Sequence, residues 1–336
     1  MKEILNQLIE HKTLSQVQAR EVLKDLASGA YNTSQVAAFM TVYLMRSITV
    51  EELRGFREAM LELCIPVDIA EYDAMDLCGT GGDGKDTFNI STLSSFVVAG
   101  AGQHVAKHGN TGVSSICGSS NLLAYFGYEF TNELSEIRRS LDEAGICFLH
   151  APLFHPAMKN VAPIRKELGV KTFFNMLGPM VNPSFPAKQL VGVFSLELAR
   201  LYAYLYQESE SKFSILHALD GYDEISLTGS FKMISNGGEK LYSPQNLGLD
   251  KLAADSIKGG ETVEESAKIF ENILKGKGTK AQNQVVIANS AAALVTADSG
   301  LGFPEAVAKA EEVLLSGKAL QVFNGLLNPK TKVSLA

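Results

Sequence analysis

The stretch from Asp76 to Asn121 constrains this chain more than any other. It reads D-L-C-G-T-G-G-D-G-K-D-T-F-N-I-S-T, then an apolar run, then H-V-A-K-H-G-N-T-G-V-S-S-I-C-G-S-S-N. Clusters of Gly, Ser, Thr, Asn and Lys alternate with apolar segments. Small hydroxyl and amide residues fill a core poorly. Backbone N–H groups, hydroxyls and one or two cations are well suited to wrapping phosphate oxygens.

The surrounding pattern gives the clusters a scaffold. Ala74 to Cys78 reads as a buried strand ending in glycines, and L-x-x-F-V-V-A-G-A as a helix with Ser91 or Thr92 as its N-cap. Gln103 to Ala106 reads as a second strand with Lys107 at its C-terminal end. Ser119 reads as the cap of a helix carrying Leu122, Leu123 and Phe126. Leu134 to Ala144 is a further helix and Ile146 to Leu149 a further strand. This βαβα alternation predicts an α/β domain with a mostly parallel central sheet, whose ligands bind beyond the carboxyl ends of the strands. Pro152 to Pro186 reads as loop and helix. Ser214 to Leu219 reads as a strand leading into the turn D-G-Y-D-E, and Val263–Leu274, Gln284–Thr296 and Pro304–Leu315 as helices.

Residues 1 to 70 differ. Apolar residues recur at helical spacing in four runs, one stopped by Gly29 and one opened by Thr49 three residues before Glu52, a capping-box spacing. No reactive cluster lies here. A small all-helical N-terminal domain is expected, its apolar faces covering the site or a second subunit.

Composition excludes several classes. The 336 residues carry a formal net charge of -7, which argues against a general nucleic-acid or anionic-membrane binder. No apolar run reaches the ~18 residues of a membrane span, and M-K-E-I-L-N-Q lacks the apolar core of a signal peptide. Cys64, Cys78, Cys117 and Cys147 form no C-x-x-C pair, so free thiols and a cytoplasmic enzyme of metabolism are expected.

Gly79 to Gly84 formally matches G-x-G-x-x-G, but the helix opens some residues later and no acidic residue follows the next strand, so the dinucleotide reading lacks its context. A plain turn is the other alternative. Asn89, Ser91 and Thr92 at a helix start exceed what capping needs and favour an anion. Lys107, His108, Gly109, Asn110, Ser114, Ser115, Gly118 and Ser119 add a cation and further donors, which taken singly are ordinary surface or structural residues. Together the loops point to a polyphosphate. Asp223-Glu224 is then a candidate Mg²⁺ pair, where alone it would be an acidic turn. Arg165 either grips a carboxylate or pairs with Glu167 at the surface. The His155 and Lys159 run adds further expected cations. No Ser-His-Asp or Cys-His constellation stands out.

These motifs, with H-P-A-M-K-x-V-A-P-I-R-K-E-L-G, F-N-M-L-G-P-M-x-N-P and D-E-I-S, resemble the anthranilate phosphoribosyltransferases from the N-terminal helices to about residue 325. The resemblance implies transfer of phosphoribose from phosphoribosyl pyrophosphate to the amine of anthranilate, in tryptophan synthesis. It implies a substrate-binding set of Gly79, Gly82, Asp83, Thr87, Asn89, Ile90, Ser91, Thr92, Lys107, His108, Gly109, Asn110, Thr111, Gly112, Val113, Ser114, Ser115, Ser119 and Arg165. Of these, Gly79, Gly82, Asp83, Thr87, Asn89, Ser91, Thr92, Lys107 and Ser119, with the loop through Ser115, would bind the donor. Ser91, Asp223 and Glu224 would hold Mg²⁺. Gly79, Asn110 and Arg165 would meet anthranilate, with Lys107, Asn110 and Arg165 as the catalytic group. It also implies a homodimer through the helical domain, formed by 1–70 with a returning segment near 165–190, and an α/β domain of 71–164 and 191–336. The alternatives are a nucleoside phosphorylase and a non-catalytic nucleic-acid-binding relative.

Two positions depart from the family pattern. Thr111 stands where Arg is usual after K-H-G-N, and G-S-S-N ends in Asn121 where Asp is usual. One cation and one anion are lost together, a structurally neutral exchange if they were partners.

Overall fold

The structure is a computed structural model that describes residues 1–112 and 116–328. The first four helices are α1 (Lys2–Ile9), α2 (Gln16–Ser28), α3 (Thr33–Met45) and α4 (Val50–Glu62). The expected capping box is present at Thr49 and Glu52. Glu52 does more than cap. Its buried carboxylate also accepts from Leu14 N at 2.9 Å and pairs with Arg46, so it joins α2, α3 and α4 at one point. Removing one partner of such a buried pair costs roughly 3–5 kcal/mol.

The rest is built on a seven-stranded sheet, ordered β3-β2-β1-β4-β5-β6-β7. The strands are β1 (Met75–Gly79), β2 (Val105–Gly109), β3 (Ile146–His150), β4 (Lys188–Gly192), β5 (Lys212–Ala218), β6 (Phe231–Ser235) and β7 (Gly238–Tyr242). β1 to β5 run parallel, and β6 and β7 add an antiparallel edge, so the expected mostly parallel sheet is present. From β1 the chain builds outward to β2 and β3, then returns to the other side of β1 as β4. That reversal is the switch point of an open α/β sheet, where a crevice opens at the strands' carboxyl ends.

One face of the sheet packs on α5 (Ile90–Gly100), α13 (Lys280–Ala297), α14 (Phe303–Leu315) and α15 (Lys318–Leu327). α6 (Ser119–Tyr125) and α12 (Val263–Leu274) complete that side, whereas α7 (Leu134–Ala144) packs Ile137 and Leu141 on Ala106, Cys147 and Leu149 of the opposite face. On the other face, α11 (Leu196–Tyr206) and β4 share one core with the N-terminal helices. That core also takes in α9 (Ala162–Leu168) and α10 (Phe174–Leu177), which follow the one-turn helix α8 (Ala151–Phe154). Phe173 stacks on Phe56 at 4.6 Å and meets Phe39 edge-on at 5.9 Å. Burying one such ring contributes roughly 1.5–3 kcal/mol, so this cluster fixes the 173–177 segment against α3 and α4.

Several boundaries differ from expectation. α5 starts at Ile90 with Asn89 at the N-cap position, because Ser91 and Thr92 already lie in the first turn. β2 runs two residues past Lys107, which therefore sits mid-strand and buried. Gly118, not Ser119, precedes α6. β4, β6, β7, α11 and α15 were not anticipated, and β4 begins inside the stretch near 165–190 expected to return to the helices.

Candidate active site

The switch point brings two glycines face to face, Gly79 of β1 in register with Gly192 of β4. The turn after β5 lies directly over them. A Cβ on Gly192 would stand 1.4 Å from Asp223 O, and one on Gly79 2.5 Å from Asp223 Oδ2. Only hydrogen side chains let that turn descend so far, and the descent carries Asp223 and Glu224 into the crevice. There Asp223 Oδ2 accepts from Gly81 N at 2.7 Å, and Glu224 Oε1 accepts from Ser91 N at 3.3 Å.

Lys107 reaches the same place from β2. Its Nζ donates to Leu77 O at 2.5 Å and to Ser91 Oγ at 3.4 Å, which aims the ammonium between α5 and the acidic turn. The glycine loop is braced from outside by Gly259 N donating to Asp86 O at 2.8 Å, by Lys85 over the Tyr222 ring at 4.8 Å, and by Lys171 donating to Gly82 O. The loop after β2 is pinned at its neck. Asn121 Oδ1 accepts from Gly112 N at 2.8 Å and Gly118 N at 3.1 Å, and Ser120 N donates to Asn110 O at 3.1 Å. Thr111 Oγ1 turns to Asn110 Oδ1, so Thr111 and Asn121 act on the loop through separate bonds.

One cavity of about 700 Å³ lies at this meeting point. Among the expected residues, Gly79, Gly82, Asp83, Thr87, Asn89, Ser91, Thr92, Lys107, His108, Gly109, Asn110, Thr111, Gly112, Ser119, Arg165, Asp223 and Glu224 all face it. Ile90 does not; its side chain is fully buried in the core against the sheet. Val113, Ser114 and Ser115 lie outside the described residues. Arg165 enters the cavity wall rather than pairing with Glu167: its Nη2 donates to Asn175 Oδ1 at 3.3 Å, and the guanidinium lies 5.2 Å from the Phe174 ring.

The electrostatics are those of buried, closely spaced charges. Burial first, and then the neighbouring Asp83, push the Asp223 carboxyl up to about 7. Burial also pushes Glu224 well above the usual carboxylate range, and its buried Oε2 has no partner. Burial lowers Lys107 and Arg165, though a guanidinium stays charged. Two crowded carboxylates, an orphaned oxygen and the Ser91 hydroxyl form a donor set that fits a hard divalent cation. Among the described residues no three His, Cys, Asp or Glu side chains converge on a metal. A cation held by one or two carboxylates takes the rest of its shell from water and a polyphosphate.

His155 was expected as a cation and is not one. It is buried against His108, ring centroids 5.3 Å apart. Burial pushes His155 down to about 4. Burial, then the His155 ring and more weakly Lys107 and His150, push His108 down to about 3. Both folded values lie below the ordinary 6.5, so each neutral ring contributes stability fully above that pH, and the contribution is lost as pH falls through the folded value. By linkage the loss reaches about 3 kcal/mol for each ring by pH 4. A His155→Phe variant is therefore expected to lose less stability than wild type between pH 7 and pH 4, by about this amount. Urea unfolding at the two pH values checks it, and equal losses would sink the assignment.

Comparison with known proteins fits this geometry. Residues 71–320 match the glycosyl transferase family a/b domain, and residues 2–64 its helical bundle domain. The chain is 60% identical over 326 residues to an anthranilate phosphoribosyltransferase of Flavobacterium psychrophilum, covering 97% of this chain and 98% of that one. The chain belongs to the anthranilate phosphoribosyltransferase family. A Flavobacterium johnsoniae member of the family is 61% identical over the same length, again with 97% and 98% covered. The solved anthranilate phosphoribosyltransferase of Thermus thermophilus superposes with a TM-score of 0.88 at 33% identity, covering 96% of this chain and 98% of that one. The Saccharomyces cerevisiae family member in complex with PRPP and Mg also gives 0.88, at 27% identity and 96% of both chains. Among the described residues no helix is long and apolar enough to cross a membrane.

The site contains residues that sequence reasoning passed over. Asn175, Gly178 and Pro179 complete the wall beside Arg165, and Cys78 lies at the cavity floor. The F-N-M-L-G-P-M run was itself a signal for this wall, because a rigid Gly-Pro turn beside an amide suits a binding surface better than a core.

Proposed function

We propose that this cavity binds phosphoribosyl pyrophosphate and anthranilate and joins them, releasing pyrophosphate, as a step of tryptophan biosynthesis. The observation that carries the reading is that Lys107, the glycine loop, the Asp223-Glu224 pair and Arg165 all face one cavity at the switch point of the sheet.

The pyrophosphate of the donor would lie against the N–H groups of the glycine loop, the start of α5 and the Lys107 ammonium. Ser91, Asp223 and Glu224 would hold Mg²⁺, which when bound offsets charge on the phosphate oxygens. Arg165 would take the acceptor carboxylate, with Asn110 orienting the amine. The bond from the ribose anomeric carbon to the pyrophosphate oxygen breaks with its electron pair leaving on pyrophosphate, a bond from the amine nitrogen to that carbon forms, and the nitrogen gives up one proton to the departing pyrophosphate or to water. An aromatic amine is a weak base and needs little help in losing its proton. The protein's part is to hold donor and acceptor in line, to place Lys107 where negative charge gathers, and to keep out water that would hydrolyse the donor. Phe174 and Pro179 support the last role.

The test is loss of anthranilate fluorescence on adding phosphoribosyl pyrophosphate and Mg²⁺, with a chelator control. Arg165→Met is expected to raise the anthranilate KM by about 10-fold or more and leave the donor KM within about 2-fold, as loss of a carboxylate contact should. Metal-dependent product from a nucleoside and phosphate, or salt-sensitive DNA binding without transfer, would overturn the reading.

We further read residues 1–70 with the segment from about 165 to 187 as one domain, and 71–164 with the chain from β4 onward as the other. Pairing of two chains through the helical domain is supported by the exposed Ile9, Val17, Leu44 and Met45; a monomer in light scattering would sink it. A cytoplasmic location is supported by four free cysteines, and detection of the native chain in a secreted fraction would count against it.

A further inference from the structure

We propose that Asp76 is a positioning residue for the acceptor side of this site, tying its two walls together through Gln189. The inference rests on the reading above that Arg165 takes the acceptor carboxylate and Asn110 orients its amine.

Asp76 sits near the start of β1 and is fully buried. Its Oδ1 accepts from the backbone N of His108 at 3.2 Å, on β2. Its Oδ2 accepts from Gln189 Nε2 at 3.2 Å, on β4. The same Nε2 donates to Pro179 O at 2.6 Å. Its remaining contact is Cys78 Sγ at 3.5 Å. The buried Tyr206 hydroxyl donates to Gln189 Oε1, which fixes the amide so that its NH₂ faces Asp76 and Pro179.

One carboxylate thus reaches both sides of the cavity. His108 begins the wall that runs on to Asn110, and Pro179 belongs to the wall that carries Gly178 and faces Arg165. Neither His108 N nor Pro179 O has its position set by the regular pairing of β1 with its neighbours. A charged group in the middle of a sheet is a costly way to satisfy one N–H. An apolar residue at this point of β1 would serve a sheet that had only to fold. What the carboxylate adds is two acceptors of strong, directional bonds, one for each wall. The glycine loop and the acidic turn are held by other groups, Gly81, Ser91 and Gly192, although the Asp76 carboxylate also favours the charge on the buried Lys107 ammonium.

The test uses the full chain in the anthranilate fluorescence assay, with both KM values, kcat and the melting temperature measured. Asp76→Asn keeps the shape but loses the charge and one acceptor. The anthranilate KM is expected to rise by about 10-fold or more and the donor KM by less, since the lost charge is also felt at Lys107, a split that mere destabilisation would not give. Gln189→Met frees Pro179 while leaving the Asp76 bond to His108 intact, and should give the same split more weakly. If Asp76→Asn does not fold, Gln189→Met decides. Unchanged anthranilate KM in a folded variant, or equal changes in both KM values, overturns the inference. A wild type without transferase activity overturns the reading beneath it, and the inference with it.

Discussion

Replacing Asp223 by Asn and Glu224 by Gln together is expected to end phosphoribosyl transfer while leaving a chain that, without metal, is at least as stable as wild type at neutral pH. The two effects have one cause. Both carboxyls are buried side by side with Asp83 near, and Glu224 Oε2 has no hydrogen-bond partner. A fold under no other demand would not keep two adjacent carboxylates in a dry crevice, because the desolvation of each exceeds what the Gly81 and Ser91 N–H groups return. A divalent cation shared between them, the role proposed above, would account for their presence. Neutral amides of the same shape keep an oxygen for each of those N–H groups and remove the repulsion. They also remove the groups that would hold Mg²⁺ against the pyrophosphate. A fall of about 1,000-fold or more in kcat/KM, worth roughly 4 kcal/mol of transition-state stabilisation, is the expected scale. Steady-state rates and thermal unfolding with chelator and with Mg²⁺ check both halves. Wild type should gain stability from Mg²⁺ with phosphoribosyl pyrophosphate, and the double variant should gain little. A variant that retains a tenth of the activity, or one that unfolds well below metal-free wild type, would sink the assignment.

What the sequence made legible was chemistry written locally. The loops between Asp76 and Asn121 announce themselves because a run of Gly, Ser, Thr and Asn has few uses inside a core, and Val263–Leu274 was legible to the residue because it is capped and strictly periodic. What was hidden depends on residues far apart in the chain. β4 is Lys-Gln-Leu-Val-Gly, too short and too polar at its start to look like a central strand. Its Gln189 makes sense only beside Asp76 and Pro179. The edge hairpin β6–β7 escaped because the β7 face is largely exposed and lacks alternation. His155 looks cationic in a run of Pro, Met and Lys; its neutrality comes from burial against His108. The departures at Thr111 and Asn121 were visible, but not their consequence. Asn121 holds two backbone N–H groups of the loop neck through its oxygen, a role that needs an acceptor and not a charge. That is why a neutral residue at this position leaves the loop pinned.

The residue whose importance is least visible in sequence is Gly192, the middle of an ordinary V-G-V. A Gly192→Ala change is expected to destabilise the chain by about 3 kcal/mol or more and to remove activity as well, although the added methyl touches no substrate. The reason is distance. The new Cβ would overlap Asp223 O at 1.4 Å, and the clash is with backbone, which cannot rotate out of the way. Either β4 moves, breaking its register with β1 and the bond from Thr80 N to Gly192 O at 2.9 Å, or the turn after β5 lifts. If the turn lifts, Asp223 leaves Gly81 and Glu224 leaves Ser91, so the acidic pair and the glycine loop part together. Rate and stability should then fall in one step. Gly221→Ala offers the contrast, since its Cβ would meet only the flexible Lys85 side chain at 3.4 Å while its φ of +98° still carries strain. It is expected to lose stability with a smaller loss of metal-dependent rate per molecule folded. Circular dichroism with rates normalised to the folded fraction separates the cases. A Gly192→Ala enzyme that is destabilised yet fully active when folded would mean that close approach at the switch point does not set the geometry of the acidic pair.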